Sequence, residues 1–161
     1  MSPQIVRTAV FGALLVLAIP ALADSFTGKV VGVTDGDPIE VMHDGRAEKV
    51  RLVGIDCPEK AQPFGQRAKQ ATSELAFGTV VTVTAPQRDR YGRRLGDVTL
   101  PDGRNLNREL VKLGMAWWYR KYSKDERLEV TEIAARQARV GLWAEPDPEP
   151  PWEWRRVQRG R

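Results

Sequence analysis

Between residues 26 and 55 the chain runs in short β-rich segments separated by turn dipeptides, and this punctuation restricts the fold more than any other feature. Three strands fit, over about residues 27–34, 39–43 and 47–55, with Asp44-Gly45 closing the second and third into a hairpin. In the third, Val50 and Leu52 share one face and Lys49 and Arg51 the other, because side chains alternate along a strand. Arg51 therefore points away from the face that Val50 and Leu52 bury. His43, the single histidine, sits beside the Asp44-Gly45 turn and reads as a turn residue rather than a catalytic base.

The period changes after Pro63. Phe64, Ala68, Ala71 and Leu75 fall at helical spacing, with Gly78 placed to end the helix. Residues 79–85 and 94–100 again read as strands, the latter closed by Pro101-Asp102-Gly103. Asn105 caps a short helix striped by Leu106, Leu110 and Leu113, and Ser123-Lys124-Asp125-Glu126 matches a capping box opening a third helix that ends by Gly141. Pro146, Pro148, Pro150 and Pro151 then predict an extended strap or loose tail over residues 144–161. Five strands, one helix after the third and two more at the end predict an α+β, mainly β fold. It is a small five-stranded Greek-key barrel with three packed helices, the alternative being an open α+β sheet.

With 161 residues the chain suits a single core. Its first 23 residues differ in kind: Arg7 precedes an apolar run over residues 9–20, and Ala21-Leu22-Ala23 fits a cleavage site. The run is short of the roughly 20 apolar residues that span a bilayer, so it reads as a signal peptide directing export to the periplasm or the exterior. Cleavage removes Arg7 and takes the formal charge from +4 to +3, a modest basic balance compatible with a polyanionic partner. Cys57 is the only cysteine, so no intramolecular disulfide can form.

Three clusters place charge on turns: Asp35-Gly36-Asp37, then Arg51 through Asp56-Cys57-Pro58-Glu59, then Asp89-Arg90-Tyr91-Gly92-Arg93. Each alone is an ordinary turn or loop. Together they offer hard oxygen ligands suited to Ca²⁺ or Mg²⁺, without the thiolate and imidazole sets that favour zinc.

In this order the motifs resemble the staphylococcal nuclease, or thermonuclease, family. The matching residues are Val33-Thr34-Asp35-Gly36-Asp37, Val50-Arg51-Leu52, Ile55-Asp56-Cys57-Pro58-Glu59, Phe64-Gly65 with Ala68, Asp89-Arg90-Tyr91-Gly92-Arg93, Leu110-Val111 with Gly114-Met115-Ala116, and Gly141-Leu142-Trp143. The resemblance covers residues 26–143 and implies an OB-fold barrel. It further implies that Asp37 and Asp56 ligate Ca²⁺ with the backbone carbonyl of Cys57, and that Asp35 is an acid just beyond these ligands. By the same resemblance Glu59 is the general base, Arg51 and Arg93 grip the reacting phosphate, and Tyr91, Tyr119 and Tyr122 contact the substrate. The implied activity is sugar-nonspecific hydrolysis of DNA and RNA, preferably single-stranded, leaving 3′-phosphate ends, by a protein expected to be monomeric.

Pro38 and Cys57 depart from the family pattern, which usually has threonine at both positions. A domain that only holds nucleic acid is the rival reading, and a protein-binding scaffold is a third. Trp152 and Trp154 are expected to anchor the tail, with Arg155, Arg156, Arg159 and Arg161 as candidate nucleic-acid contacts.

Overall fold

A computed structural model describes residues 24–160; the signal peptide expected over residues 1–23 and the tail's Arg161 lie outside the described residues. Five strands close a barrel: β1 (Ser25–Val33), β2 (Pro38–His43), β3 (Arg46–Leu52), β5 (Val80–Arg88) and β6 (Arg94–Thr99), in the order β1-β2-β3-β6-β5, with β5 returning to β1. All pairings are antiparallel except β3 with β6. Two short strands, β4 (Ile55–Asp56) and β7 (Trp117–Trp118), pair outside the barrel. The helices are α1 (Gly65–Ala76), α2 (Leu106–Lys112), α3 (Glu126–Gln137) and α4 (Pro151–Arg159).

Alternation decides the interior. Val30, Ile39, Val41, Val50, Leu52, Val81, Val83 and Val98 are essentially sealed from solvent, whereas Arg51, between Val50 and Leu52, points outward and is only half-buried. Asp44 and Gly45 both adopt left-handed backbone, as a two-residue hairpin turn demands. A second apolar cluster joins Trp117, Ala135, Leu142 and Trp143, with Phe64, Val140 and Trp152 against it.

Four expectations need correction. The third strand does not run unbroken to Ile55: it ends at Leu52, and the chain turns at Val53-Gly54 before β4. The third helix starts at Glu126 rather than inside a capping box at Ser123, because the Asp125 carboxylate accepts from Arg127 N and supplies the cap itself. A fourth helix joins the three expected. It begins at Pro151, since a proline at the first helical position lacks only an N–H that would be unpaired there anyway, so only residues 145–150 form the extended strap.

Candidate active site

Asp37 immediately precedes β2 and stands beside the register pair Pro38–Arg51 of the β2–β3 ladder. Leu52 N donates to the carbonyl of Asp37 at 3.0 Å, which makes Pro38 and Arg51 a non-hydrogen-bonded pair. The N–H that Pro38 lacks is therefore not one the pairing with β3 needs; on the β1 side Thr34 N donates to the Pro38 carbonyl at 3.4 Å, and proline cannot return the reciprocal bond. The turn before it is held tightly. The Thr72 hydroxyl on α1 donates to the Gly36 carbonyl at 2.6 Å, and a Cβ on Gly36 would stand 2.5 Å from Cys57 Cβ and 3.0 Å from Ala68 Cβ. Glycine here lets the Asp37 turn lie directly on the Cys57 loop.

Asp56 is carried by β4, whose partner β7 sets it opposite Trp117. Glu59 follows on a turn closed by Gln62: Gln62 N donates to the Glu59 carbonyl, Glu59 N donates to Gln62 Oε1, and Gln62 Nε2 reaches the Glu149 carbonyl at 2.6 Å. The start of α1 presses against this turn, and a Cβ on Gly65 would fall 1.9 Å from the Glu59 carbonyl. Gln62 was not anticipated. A buried amide in a turn leaves no periodic signal in the sequence.

These elements bring Asp37, Arg51, Asp56 and Glu59 together. Arg51 Nη2 donates to Asp56 Oδ1 at 2.8 Å and lies 3.1 Å from Asp37 Oδ2, outside hydrogen-bond geometry, so that buried oxygen has no hydrogen-bond partner. Burial pushes the Asp37 carboxyl up to about 7, aided by the charges of Asp56 and Glu59 and opposed by Arg51 and Arg155. Burial also works against the Arg51 charge, but Asp37 and Asp56 overcome it and hold the guanidinium above its ordinary range.

The second guanidinium in the cluster is not Arg93. Arg93 is fastened to Asp89, with Nε donating to Oδ2 at 2.7 Å, and it lies over the Tyr91 ring; no hydrogen bond or ion pair joins it to Asp37, Asp56 or Glu59. The observed partner is Arg155 on α4. Its Nη1 donates to Glu59 Oε1 at 2.6 Å and to Asp56 Oδ1 at 3.2 Å, and its Nη2 to Asp56 Oδ2 at 2.6 Å. Burial disfavours the Arg155 charge, yet these two carboxylates raise its pKa further above the usual arginine range. In the sequence the tail arginines read as candidate nucleic-acid contacts; the helix that aims Arg155 inward is hidden by the prolines before it.

The remaining candidates are spread over the neighbouring surface. Asp35 is half-buried on the turn before Asp37, and its charge is among those that raise the Cys57 thiol, although burial is the main cause. Cys57 is buried, so an exposed, oxidisable thiol is excluded, and its neutral sulfur is a poor competitor for a hard cation. Tyr119 and Tyr122 meet edge to face at 4.8 Å, Tyr122 being exposed. Trp152 of α4 lies flat on Tyr119, centroids 5.1 Å apart and planes within 3°. Tyr91 is exposed at the tip of the β5–β6 turn, with Arg90 also over its ring.

Could this cluster take a divalent ion? Asp37 and Asp56 offer carboxylate oxygens within 3.1 Å of one nitrogen atom, one of them unpartnered and sealed, which is the donor chemistry a hard cation requires. Among the described residues no three His, Cys, Asp or Glu side chains converge on such a point. The residues present fit an ion whose other ligands are main-chain, solvent or substrate oxygens.

Residues 49–145 match the family model described as staphylococcal nuclease homologue. The chain belongs to the staphylococcal nuclease family. Within it, the chain is 48% identical over 142 residues to a protein of Escherichia coli O157:H7 named an uncharacterized endonuclease, covering 88% of this chain and 93% of that one. It is 42% identical over 163 residues to a Shigella flexneri protein named micrococcal nuclease, covering 95% and 93%. Protein ParB of Escherichia coli is 43% identical over 170 residues, covering 99% and 96%. The closed mixed barrel with helices packed beside it is the OB-type α+β fold expected of such a nuclease domain.

Proposed function

We propose that this staphylococcal-nuclease-family protein is an exported, calcium-dependent nuclease that hydrolyses phosphodiester bonds of DNA and RNA, single strands in preference, and leaves 3′-phosphate ends. The observation that carries the reading is the convergence of Asp37 and Asp56 on Arg51, with Glu59 joined to Asp56 through Arg155 and a buried Asp37 oxygen left without a hydrogen-bond partner. Asp37 and Asp56 would hold Ca²⁺, with the Cys57 carbonyl as a third protein ligand. When bound, the ion would orient the phosphodiester and offset charge developing on its oxygens.

The other duties fall to side chains. Arg51, already fixed against Asp56, presents a planar fork suited to phosphoryl oxygens. Glu59 is more exposed than either aspartate, with 37% of its side chain accessible, so water can reach the carboxylate that would accept its proton. Arg93, once turned from Asp89, would give the second grip on the phosphate. Tyr91, Tyr119 and Tyr122 supply ring faces for unstacked bases, a mode of contact that tolerates any sequence.

The test is digestion of denatured DNA and of RNA with Ca²⁺ and with a chelator, alongside Glu59→Gln. The expected result is calcium-dependent cleavage to 3′ ends that can be extended only after phosphatase treatment, while the 5′-hydroxyl ends label directly, with the variant slowed by about 10²- to 10⁴-fold. Tight binding with no cleavage under any divalent ion would overturn this in favour of a binding module.

A further inference from the structure

Helix α4 lies outside the region matched by the family model and reaches the catalytic carboxylates from the far end of the chain. Three observations define its position. Arg155 occupies both oxygens of Asp56 and one of Glu59, so the proposed metal ligand and the proposed base are engaged by one cation of the protein's own. Trp152 covers a face of Tyr119 in parallel contact, on the surface where a base would stack. The attachment is nevertheless light: of the residues in α4 only Pro151 is buried, and the strap before it borders a cavity of about 270 Å³ lined by Gln62, Phe64, Trp117 and Glu149 among others.

We propose that α4 is a tethered plug, an autoinhibitory helix that keeps the site closed until a divalent cation and a nucleic acid displace it. The inference rests on the calcium reading of Asp37 and Asp56. A guanidinium forked onto Asp56 competes for the lone pairs a cation needs, and a base hydrogen-bonded to arginine is less able to take a proton from water. A polyanion reverses the balance, because phosphates draw Arg155 from the carboxylates together with Arg156 and Arg159, which lie exposed on the same helix. Gln62 relays the change. Its side chain binds both the Glu59 turn and the strap carbonyl of Glu149, so release of the strap frees one end of that link.

Docking reduces the apparent cation affinity by the fraction of molecules left open, and loss of the charge-assisted bonds is expected to raise it about tenfold. The experiment is calcium titration by calorimetry on the chain carried through residue 161, comparing wild type, Arg155→Gln and Trp152→Ala. It is paired with hydrogen exchange over residues 151–159 before and after Ca²⁺ and a short oligodeoxynucleotide are added. Both variants should bind Ca²⁺ more tightly and cleave faster, and the helix amides should lose protection when cation and oligonucleotide bind. Trp152→Ala leaves the charge of the site unchanged, so its gain separates unplugging from mere removal of a positive neighbour. Arg155→Gln, at a half-exposed side chain, keeps the test decisive where the tryptophan variant loosens the fold. Equal calcium affinities with slower cleavage, or helix amides that stay protected, would refute the plug and leave the calcium reading standing. No calcium binding by any of the three would refute both.

Discussion

Replacing Asp37 by asparagine is expected to stabilise the metal-free protein above neutral pH, the reverse of what losing a buried ion-pair partner usually does. The Asp37 carboxyl is 6% exposed and its pKa rises from 3.8 to about 7, chiefly through burial. In the unfolded chain it ionises near the lower value, so between the two the folded state binds more protons. Stability therefore falls as pH rises through that window and levels off above it. The whole interval corresponds to a ceiling of about 4 kcal/mol at 1.36 kcal/mol per pH unit. Asparagine escapes this penalty but buries an amide beside Arg51, at a cost of roughly 1–3 kcal/mol that does not vary with pH. The difference between two pH values is thus the cleaner quantity: relative to wild type, Asp37→Asn should gain about 2–3 kcal/mol between about pH 5 and about pH 8. Urea unfolding in chelator measures it. A variant destabilised by the same amount at both values would refute the reasoning, because Asp37 would then be ionised in the fold throughout.

Gly36→Ala should lose about 1–3 kcal/mol in urea unfolding and weaken calcium binding, since its new methyl meets Cys57 and Ala68 rather than open space. Glu132→Ala should cost about 2–4 kcal/mol by thermal or urea melting, because the buried carboxylate accepts from Trp118 N and pairs with Arg120 and Arg136. Asp89→Asn should free Arg93 and change cleavage while leaving calcium affinity alone, which rate measurements and calorimetry separate.

The barrel was legible because its signals are local. Val50 and Leu52 alternate with Arg51, Asp44-Gly45 closes its hairpin, and Asn105 does accept from Arg108 N as a helix cap should. The grouping of carboxylates was also legible, since the motif order marks Asp37 and Glu59 on turns and Asp56 between them, although Asp56 proves to lie on β4 rather than on a turn. What escaped depends on contacts across long stretches of chain. No periodicity reveals that Gln62 bonds to Glu149, or that the guanidinium beside Asp56 and Glu59 comes from Arg155 while Arg93 is turned to Asp89. The prolines of the strap were read as forbidding a helix, whereas the last of them begins one.

The pairing of β4 with β7 gives the molecule an optical reporter. Asp56 and Trp117 are register partners, and the Trp117 indole meets both Trp143, at 4.4 Å between centroids, and Trp152, at 5.7 Å. One member of this aromatic trio shares a backbone ladder with the strand that carries Asp56, and another rides on the C-terminal helix. Intrinsic emission, with no dye attached, should therefore respond to events on either side of the carboxylate cluster as they happen in solution.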